Sequence, residues 1–166
     1  MTAPLAAPVA MSDEGTDQLL SAYDEAIEVA LRGAEHAFTD ARGDWADRIH
    51  AAIVRLVDLA VAHPHLTRLC TVEIFHAGQR GLDRRDRSML RFMRLVELGY
   101  AQAAPQAPSM RILPQVVTGS IFELIRSHVV EDRLEHLPEA APTATLIVLA
   151  PVVGRDEALR IAGVTG

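Results

Sequence analysis

The chain has 166 residues, of which 49% are hydrophobic and 4% aromatic, and it carries a formal net charge of −6. This length and composition fit a single domain with an aliphatic core, and the acidic balance argues against a surface that binds nucleic acid. Cys70 is the only cysteine, which excludes a disulfide within the chain and any CxxC-type metal or redox motif.

No segment of the sequence predicts export or membrane insertion. The first residues, MTAPLAAPVAMSDEG, lack the basic and long apolar regions of a signal peptide. The most apolar long stretch, 109–132, contains Glu123 and Arg126 near its middle, and charges at that depth disfavour a membrane span. We therefore expect a cytoplasmic protein with no membrane contact.

Apolar residues recur every three or four positions along most of the chain, which predicts an all-α bundle of about seven helices. Residues 1–11, rich in Ala and Pro, are predicted to be a disordered lead, so the helical domain covers 12–163. The first four predicted helices are 13–38, 45–63, 64–77 and 83–102, with loops at 78–81 and 101–109.

The stretch 109–132, SMRILPQVVTGSIFELIRSHVVED, is predicted to be a helix that must be covered on two sides. Its apolar surface is much wider than the stripe of about 100° that a surface helix needs. The chain itself can cover one side, and a second copy or a ligand can cover the other. After a connection at 133–142, the last helical unit, 143–162, is split by Pro151 and Gly154, and its apolar first half is expected to be buried beside 109–132.

Three groups of residues could carry chemistry, and each has a simpler structural interpretation. Glu73 and His76 form one ExxH pair, which di-iron helical bundles use twice, and the sequence contains no second pair. Cys70 lies at an apolar position without an evident base, so a small buried hydrophobe is the favoured interpretation. The basic run 80–94 is interleaved with acids, which is typical of a solvated helix face. We therefore predict no enzyme activity, no catalytic or metal-binding residue and no cofactor.

A set of larger, adaptable side chains lies at core-facing spacings. Such residues either fill an ordinary core or line an apolar cavity in which they can repack around a ligand. The sequence alone leaves both interpretations open. The residues are Tyr23, Phe75, Met89, Phe92, Met93 and Tyr100.

The order of several short motifs resembles that of the TetR-family transcriptional regulators. These motifs are LLSAYDEAIE at 19–28, a Trp at the start of a helix, the helix break HPHLTRL at 63–69 and the helix end EIFHAG at 73–78. GSIFELIRSHV, EHLPEAAPT and LAPVVGRDEALRIA follow in the same order. The resemblance covers approximately residues 13–162.

The resemblance implies a TetR C-terminal-domain-like fold with a ligand cavity among helices 45–63, 64–77 and 83–102, closed by 109–132. A small apolar molecule is the expected ligand. The residues predicted on this basis to bind it are Tyr23, Phe75, His76, Met89, Phe92, Met93, Tyr100, Val117 and Ile121.

The resemblance also implies that 109–132 and 143–162 form a four-helix bundle with a partner subunit, so a homodimer is expected. The interface residues predicted on this basis are Ile112, Val116, Phe122, Ile125, Val129, Leu146 and Leu149.

The resemblance does not extend to the helix-turn-helix domain with which TetR-type regulators begin. Few residues precede LLSAYDEAIE, and they are rich in Ala and Pro. We therefore expect a ligand-binding and dimerisation domain with no direct DNA binding by this chain. The main alternative is an interaction protein that heterodimerises with a full-length TetR-like regulator. A metal-dependent helical enzyme that uses Glu73 and His76 is a remote alternative.

Overall fold

The computed structural model describes residues 12–103 and 112–164, and these form an all-α bundle, as predicted. The predicted disordered lead and most of the predicted loop 101–109 lie outside the described residues. The elements in chain order are α1 (Asp13–Asp40), α2 (Trp45–Ala62), α3 (Pro64–Thr71), a 3₁₀ segment (Glu73–Ala77), α4 (Gly78–Ala103), α5 (Leu113–Val130), a second 3₁₀ segment (Leu134–Ala140), α6 (Ala141–Val153) and α7 (Arg155–Ile161).

The first two helices begin at side-chain caps. The Ser12 hydroxyl accepts a hydrogen bond from the Gly15 backbone N–H at 3.1 Å. At α2, Asp44 accepts from the backbone of Ala46 and Asp47, and the Asp47 side chain accepts from the Asp44 backbone N–H. A capping group of this kind contributes about 1 kcal/mol by satisfying backbone donors that have no partner within the helix. These caps fix the starts of α1 and α2.

The predicted third helix ends earlier than the sequence pattern indicated. The α-helix stops at Thr71, and the following residues tighten into the 3₁₀ segment Glu73–Ala77. The predicted loop 78–81 is instead the first turn of α4. Gly81 makes this tight corner possible, because a Cβ atom there would lie 2.0 Å from the Ile74 carbonyl oxygen. The side chains of 73–77 therefore follow a three-residue turn instead of the expected helical turn.

The predicted connection 133–142 contains a second 3₁₀ segment, and the predicted break in the last unit occurs only at Gly154. Pro151 lies inside α6, whereas Gly154 adopts a φ of 85° and separates α6 from α7. By length and composition alone, Leu134–Val153 is one candidate for crossing a membrane among the described residues. Its Leu137, Thr145 and Leu149 side chains are fully buried within the bundle.

Helix α2 lies at the centre of the bundle and contacts α1, α3, α4, α6 and α7. Helices α1 and α4 run in the same direction and are joined by ion pairs, including Asp17–Arg80 at 2.6 Å and Glu28–Arg91 at 2.9 Å, with Asp24–Arg84 between them. Three of the six arginines at 80–94 are therefore paired with acids of α1. Helices α1 and α5 make little direct contact, and α3 and α4 contact both of them.

Candidate functional site

An apolar cavity of about 180 Å³ lies at the middle of the bundle. Helices α1 and α5 form opposite walls, and α2, α3 and α4 supply the remaining sides, with Val148 of α6 at one end. Protein interiors are close-packed and contain few voids larger than a water molecule. A space of this size is therefore a specific feature of the fold.

The cavity exists because small side chains face it where large ones would fill a core. Ala26 and Ala30 of α1 stand one turn apart on its wall, and α2 contributes Ala52 and Ala60. The larger lining residues surround these alanines at helical spacing. They are Tyr23, Ile27, Ile49, Ile53, Leu56, Leu59, Met89, Phe92, Leu95, Val96, Ile121, Phe122 and Ile125.

One side of the cavity reaches the protein surface. Of the residues that line it, Val29, His63 and Leu66 are exposed, and they lie where α1 approaches the junction of α2 and α3. Val29 is 43% exposed and Leu66 is 38% exposed, so the entrance is itself apolar. The opposite wall is closed by Phe122, whose ring packs edge-on against Phe75 with 6.5 Å between centroids. The Arg85 guanidinium carbon lies 5.0 Å from the Phe122 ring centroid.

The lining contains no Asp, Glu or Arg side chain. Burial raises the pKa of Cys70 to about 12, so this residue is a neutral thiol at pH 7. Burial also raises the pKa of Tyr23 to about 12, against a smaller opposing effect from a hydrogen bond with Ser88. An ionised ligand would lose its hydration without gaining an opposite charge among these residues. The cavity is therefore suited to an uncharged molecule.

Hydroxyl groups supply most of the polarity of the lining, and nearly all of them are already hydrogen-bonded. Thr67 donates to the Ala60 carbonyl at 2.9 Å, Thr71 donates to the Thr67 carbonyl at 2.7 Å, and Ser88 donates to the Arg84 carbonyl at 3.0 Å. The Thr118 hydroxyl on α5 is buried and has no hydrogen-bond partner among the described residues. Among the buried Thr and Ser hydroxyls of the lining, Thr118 is therefore the one without a hydrogen-bond partner in the described residues.

Some of the residues predicted to bind the ligand lie on the cavity and others do not. Tyr23, Met89, Phe92 and Ile121 line it. The remaining five are placed elsewhere: Phe75 and His76 are exposed, Met93 is half-buried outside the lining, and Tyr100 and Val117 belong to a neighbouring core cluster.

The structure gives a reason for each displaced residue. The 3₁₀ turn rotates Phe75 and His76 away from the position that a continuous helix would give them. Met93 and Val117 each lie one residue from a lining position, and one residue rotates a helical side chain by about 100°. The Tyr100 hydroxyl donates to the Val148 carbonyl at 2.7 Å, and its ring packs edge-on against Trp45.

The residues predicted to form the dimer interface separate into three groups. Phe122 and Ile125 line the cavity of their own chain, on the same α5 face as Thr118. Val129 and Leu149 are buried by their own chain, at 6% and 0% exposure, so they have no free surface for a partner. Leu146 is half-buried, and only Ile112 and Val116 are well exposed.

The sequence reasoning missed two kinds of lining residue. It overlooked Thr118, although a hydroxyl within an otherwise apolar helix face is a recognisable signal. It also overlooked the alanines, since a small apolar residue looks the same in a sequence whether it allows two helices to touch or leaves space between them. Cys70 was interpreted as a buried hydrophobe, and it lies on the cavity wall.

The Glu73–His76 pair stands apart from the cavity. Glu73 is paired with Arg68 at 3.5 Å, and His76 is exposed. Within 12–103 and 112–164, no group of three or more His, Cys, Asp or Glu side chains is arranged to hold a metal ion.

Comparison with known proteins finds no matching family model, no matching curated protein and no matching solved structure. The geometry of the cavity and the chemistry of its lining therefore carry the functional argument.

Proposed function

We propose that this chain is a ligand-binding and dimerisation domain of the TetR-like type, which takes a small apolar molecule into the cavity between α1 and α5. The observation that carries the proposal is an apolar cavity of about 180 Å³ that side chains of α1 to α5 line together. A cavity of about 150 Å³ with a similar aliphatic and aromatic lining is large enough to bind benzene. A ligand somewhat larger than benzene fits this space.

The order and spacing of the TetR-like motifs support the same proposal. The resemblance implied a pocket among the second, third and fourth helices, closed by the long helix, and the cavity lies among α2, α3, α4 and α5. The proposed role is binding and not catalysis, because Cys70 and Tyr23, the acidic groups of the lining, are held protonated at pH 7. Direct DNA binding is not part of the proposal, since the chain carries a formal net charge of −6 and three arginines of α4 are paired with acids of α1. The proposed location is the cytoplasm.

The exposed face of α5 supports dimerisation. Ile112, Val116 and Val130 are 59%, 51% and 56% exposed, and helical spacing places them on one side of the helix. Between them, Glu123 and Arg126 form an ion pair at 2.8 Å. A two-fold axis crossing α5 would place this face against its own copy, which makes a homodimer the proposed assembly.

The same exposed face also fits the alternative role, in which the chain pairs with a full-length TetR-like relative. Co-expression with such a relative distinguishes the two assemblies. Recovery of mixed dimers after purification would favour the interaction protein, and recovery of self-paired chains alone would favour the homodimer.

Graded filling of the cavity tests the ligand-binding proposal. Ala52 is 3% exposed and lies on the α2 wall. The probe is α-methylstyrene, measured by titration calorimetry. Ala52→Leu is expected to weaken binding, and Ala52→Phe is expected to weaken it by more than about tenfold, since the larger side chain takes the space of the probe.

The control for this series is Ala62→Phe, the same substitution at an exposed position of α2. It should leave the affinity unchanged, and circular dichroism should show that all three variants keep their helical content. Equal affinity in wild type and a folded Ala52→Phe variant would contradict the proposal.

A further inference from the structure

Five threonine and serine side chains are buried among the described residues, and four of them have hydrogen-bond partners. Thr67, Thr71 and Ser88 donate to backbone carbonyls, and Thr145 Oγ1 lies 2.9 Å from His50 Nδ1. Thr118 is 9% exposed, and its Oγ1 has no partner in the part of the chain that the structure describes. Buried hydroxyls are normally satisfied, so an unpaired one calls for a specific explanation.

The explanation is not a lack of acceptors near α5. A threonine or serine within a helix can donate to the carbonyl four residues earlier. Ser120, two residues along the same helix, does this at 2.9 Å to Val116. Thr118 lines the cavity at helical spacing from Ile121 and Phe122, and its Oγ1 atom is unpaired and almost inaccessible to solvent in the unliganded protein.

We infer that Thr118 is the polar anchor of the cavity and that the ligand is an uncharged, mainly apolar molecule carrying one oxygen that accepts a hydrogen bond from the Thr118 hydroxyl. This inference rests on the proposed ligand-binding function and adds the chemical class of the ligand. A purely hydrocarbon ligand would leave the hydroxyl unsatisfied. A charged ligand would find no Asp, Glu or Arg side chain in the lining.

Two probes of nearly the same shape test the anchor. Acetophenone carries a carbonyl oxygen where α-methylstyrene carries a methylene group, so they differ mainly in the hydrogen-bond acceptor. Titration calorimetry would measure both probes against wild type and Thr118→Val. The ratio of the two affinities is compared between proteins, because the ratio cancels the different hydration of the probes.

The Thr118→Val substitution is expected to reduce the relative preference for acetophenone by about two- to tenfold, the contribution of one hydrogen bond. Affinity for α-methylstyrene should change much less. Thr118→Ser retains a hydroxyl and should preserve the wild-type ratio. Thr71→Val is the matched control, since Thr71 also lines the cavity but its hydroxyl already donates to the Thr67 carbonyl; its ratio should match that of wild type.

The outcomes separate failure of the anchor from failure of the cavity. If both probes bind and the ratio is the same in wild type and Thr118→Val, the cavity is a ligand site and Thr118 is not its anchor. If neither probe binds any of the four proteins, the proposed function itself is contradicted.

Discussion

The unpaired Thr118 hydroxyl has an expected consequence for stability. A buried polar group without a partner costs about 1–3 kcal/mol, so removing the hydroxyl removes that cost. We expect Thr118→Val to raise the free energy of unfolding of the unliganded protein by about 1 kcal/mol, measured by urea denaturation. The same change would therefore stabilise the protein while weakening its preference for an oxygen-bearing ligand.

Thr71→Val provides the comparison for this prediction. Its hydroxyl donates to the Thr67 carbonyl at 2.7 Å, so the substitution is expected to lower the free energy of unfolding by about 0.5–1.5 kcal/mol. If both variants are destabilised equally, Thr118 has a hydrogen-bond partner in solution.

His50 gives the fold a pH dependence near neutrality. Its Nδ1 atom lies 2.9 Å from Thr145 Oγ1 of α6, and burial lowers its pKa below the ordinary value, with a smaller opposing effect from Asp47. As the pH falls below about 6.5, the His50 side chain binds a proton more readily in the unfolded chain than in the folded one. The folded state therefore loses stability in that range. We expect the free energy of unfolding to decrease between about pH 7.5 and pH 5.5.

The His50→Gln variant tests the assignment of this effect. Glutamine does not titrate, so the decrease over the same pH range should become smaller than in wild type. Urea denaturation at several pH values measures both slopes. An identical slope in the variant would assign the effect to other groups.

At the residue scale, the sequence indicated the types of side chain at the site better than their positions. Tyr23 and Phe92 were recognised as larger side chains at core-facing positions, and both line the cavity. Tyr100 has the same sequence signature but packs against Trp45. Helical spacing places a residue on the inner face, and only the packing of other helices decides whether that point faces a cavity or a filled core.

The packing of α4 against α2 depends on a close contact at Gly99. A Cβ atom at this position would lie 2.2 Å from the Trp45 ring. The Trp45 indole N–H also donates to the Leu95 carbonyl at 3.3 Å, which fixes the ring beside α4. We expect Gly99→Ala to lower the free energy of unfolding by about 1–3 kcal/mol through overpacking, as measured by thermal or urea denaturation.

Gly119 is the matched control on α5, because its added Cβ atom would meet nothing within 4 Å. There the same substitution should stabilise the helix by up to about 1 kcal/mol through the higher helix propensity of alanine. Similar losses at both positions would rule out the Trp45 contact as the cause.

Dimerisation through α5 is tested by placing a charge on its exposed apolar face. Val116 is 51% exposed within its own chain, so Val116→Asp should leave the fold intact. In a dimer the new carboxylate would be buried without a partner. The dissociation constant of the dimer should therefore be at least about tenfold higher than for wild type. Sedimentation over a concentration series measures this change.

Gln115→Asp introduces the same charge on the neighbouring exposed residue, about 100° around the helix. It should affect association less than Val116→Asp. A wild-type protein that remains monomeric throughout the series would contradict the proposed dimer.

At the element scale, the helices were predictable where caps and prolines fix their ends. Asp44 and Pro64 mark the starts of α2 and α3, and both starts lie where the sequence placed them. The 3₁₀ segment Glu73–Ala77 was not predictable, because its tight turn depends on the approach of Gly81 to the Ile74 carbonyl. This 3₁₀ turn directs Phe75 and His76 away from the cavity, where the expected α-helix would have placed them on its wall.

At the scale of the whole molecule, the sequence could indicate an all-α bundle but not where its interior remains open. The apolar width of α5 predicted that this helix needs cover on two sides. Much of that cover comes from its own chain, as Val117 and Val129 show, and Thr118, Ile121 and Phe122 face the cavity. The separation of α1 from α5 is a property of the assembled helices, and no local pattern specifies it.

A map of isoleucine methyl groups tests the central claim most directly, because these residues divide between the cavity and the rest of the bundle. The measurement is a titration of isoleucine-methyl-labelled protein with α-methylstyrene, followed by nuclear magnetic resonance. We predict saturable shifts at the lining residues Ile27, Ile49, Ile53, Ile121 and Ile125. We predict little change at Ile74, Ile112, Ile147 and Ile161, which do not line the cavity. Shifts confined to this second group, or no saturable shift at any isoleucine, would contradict the account.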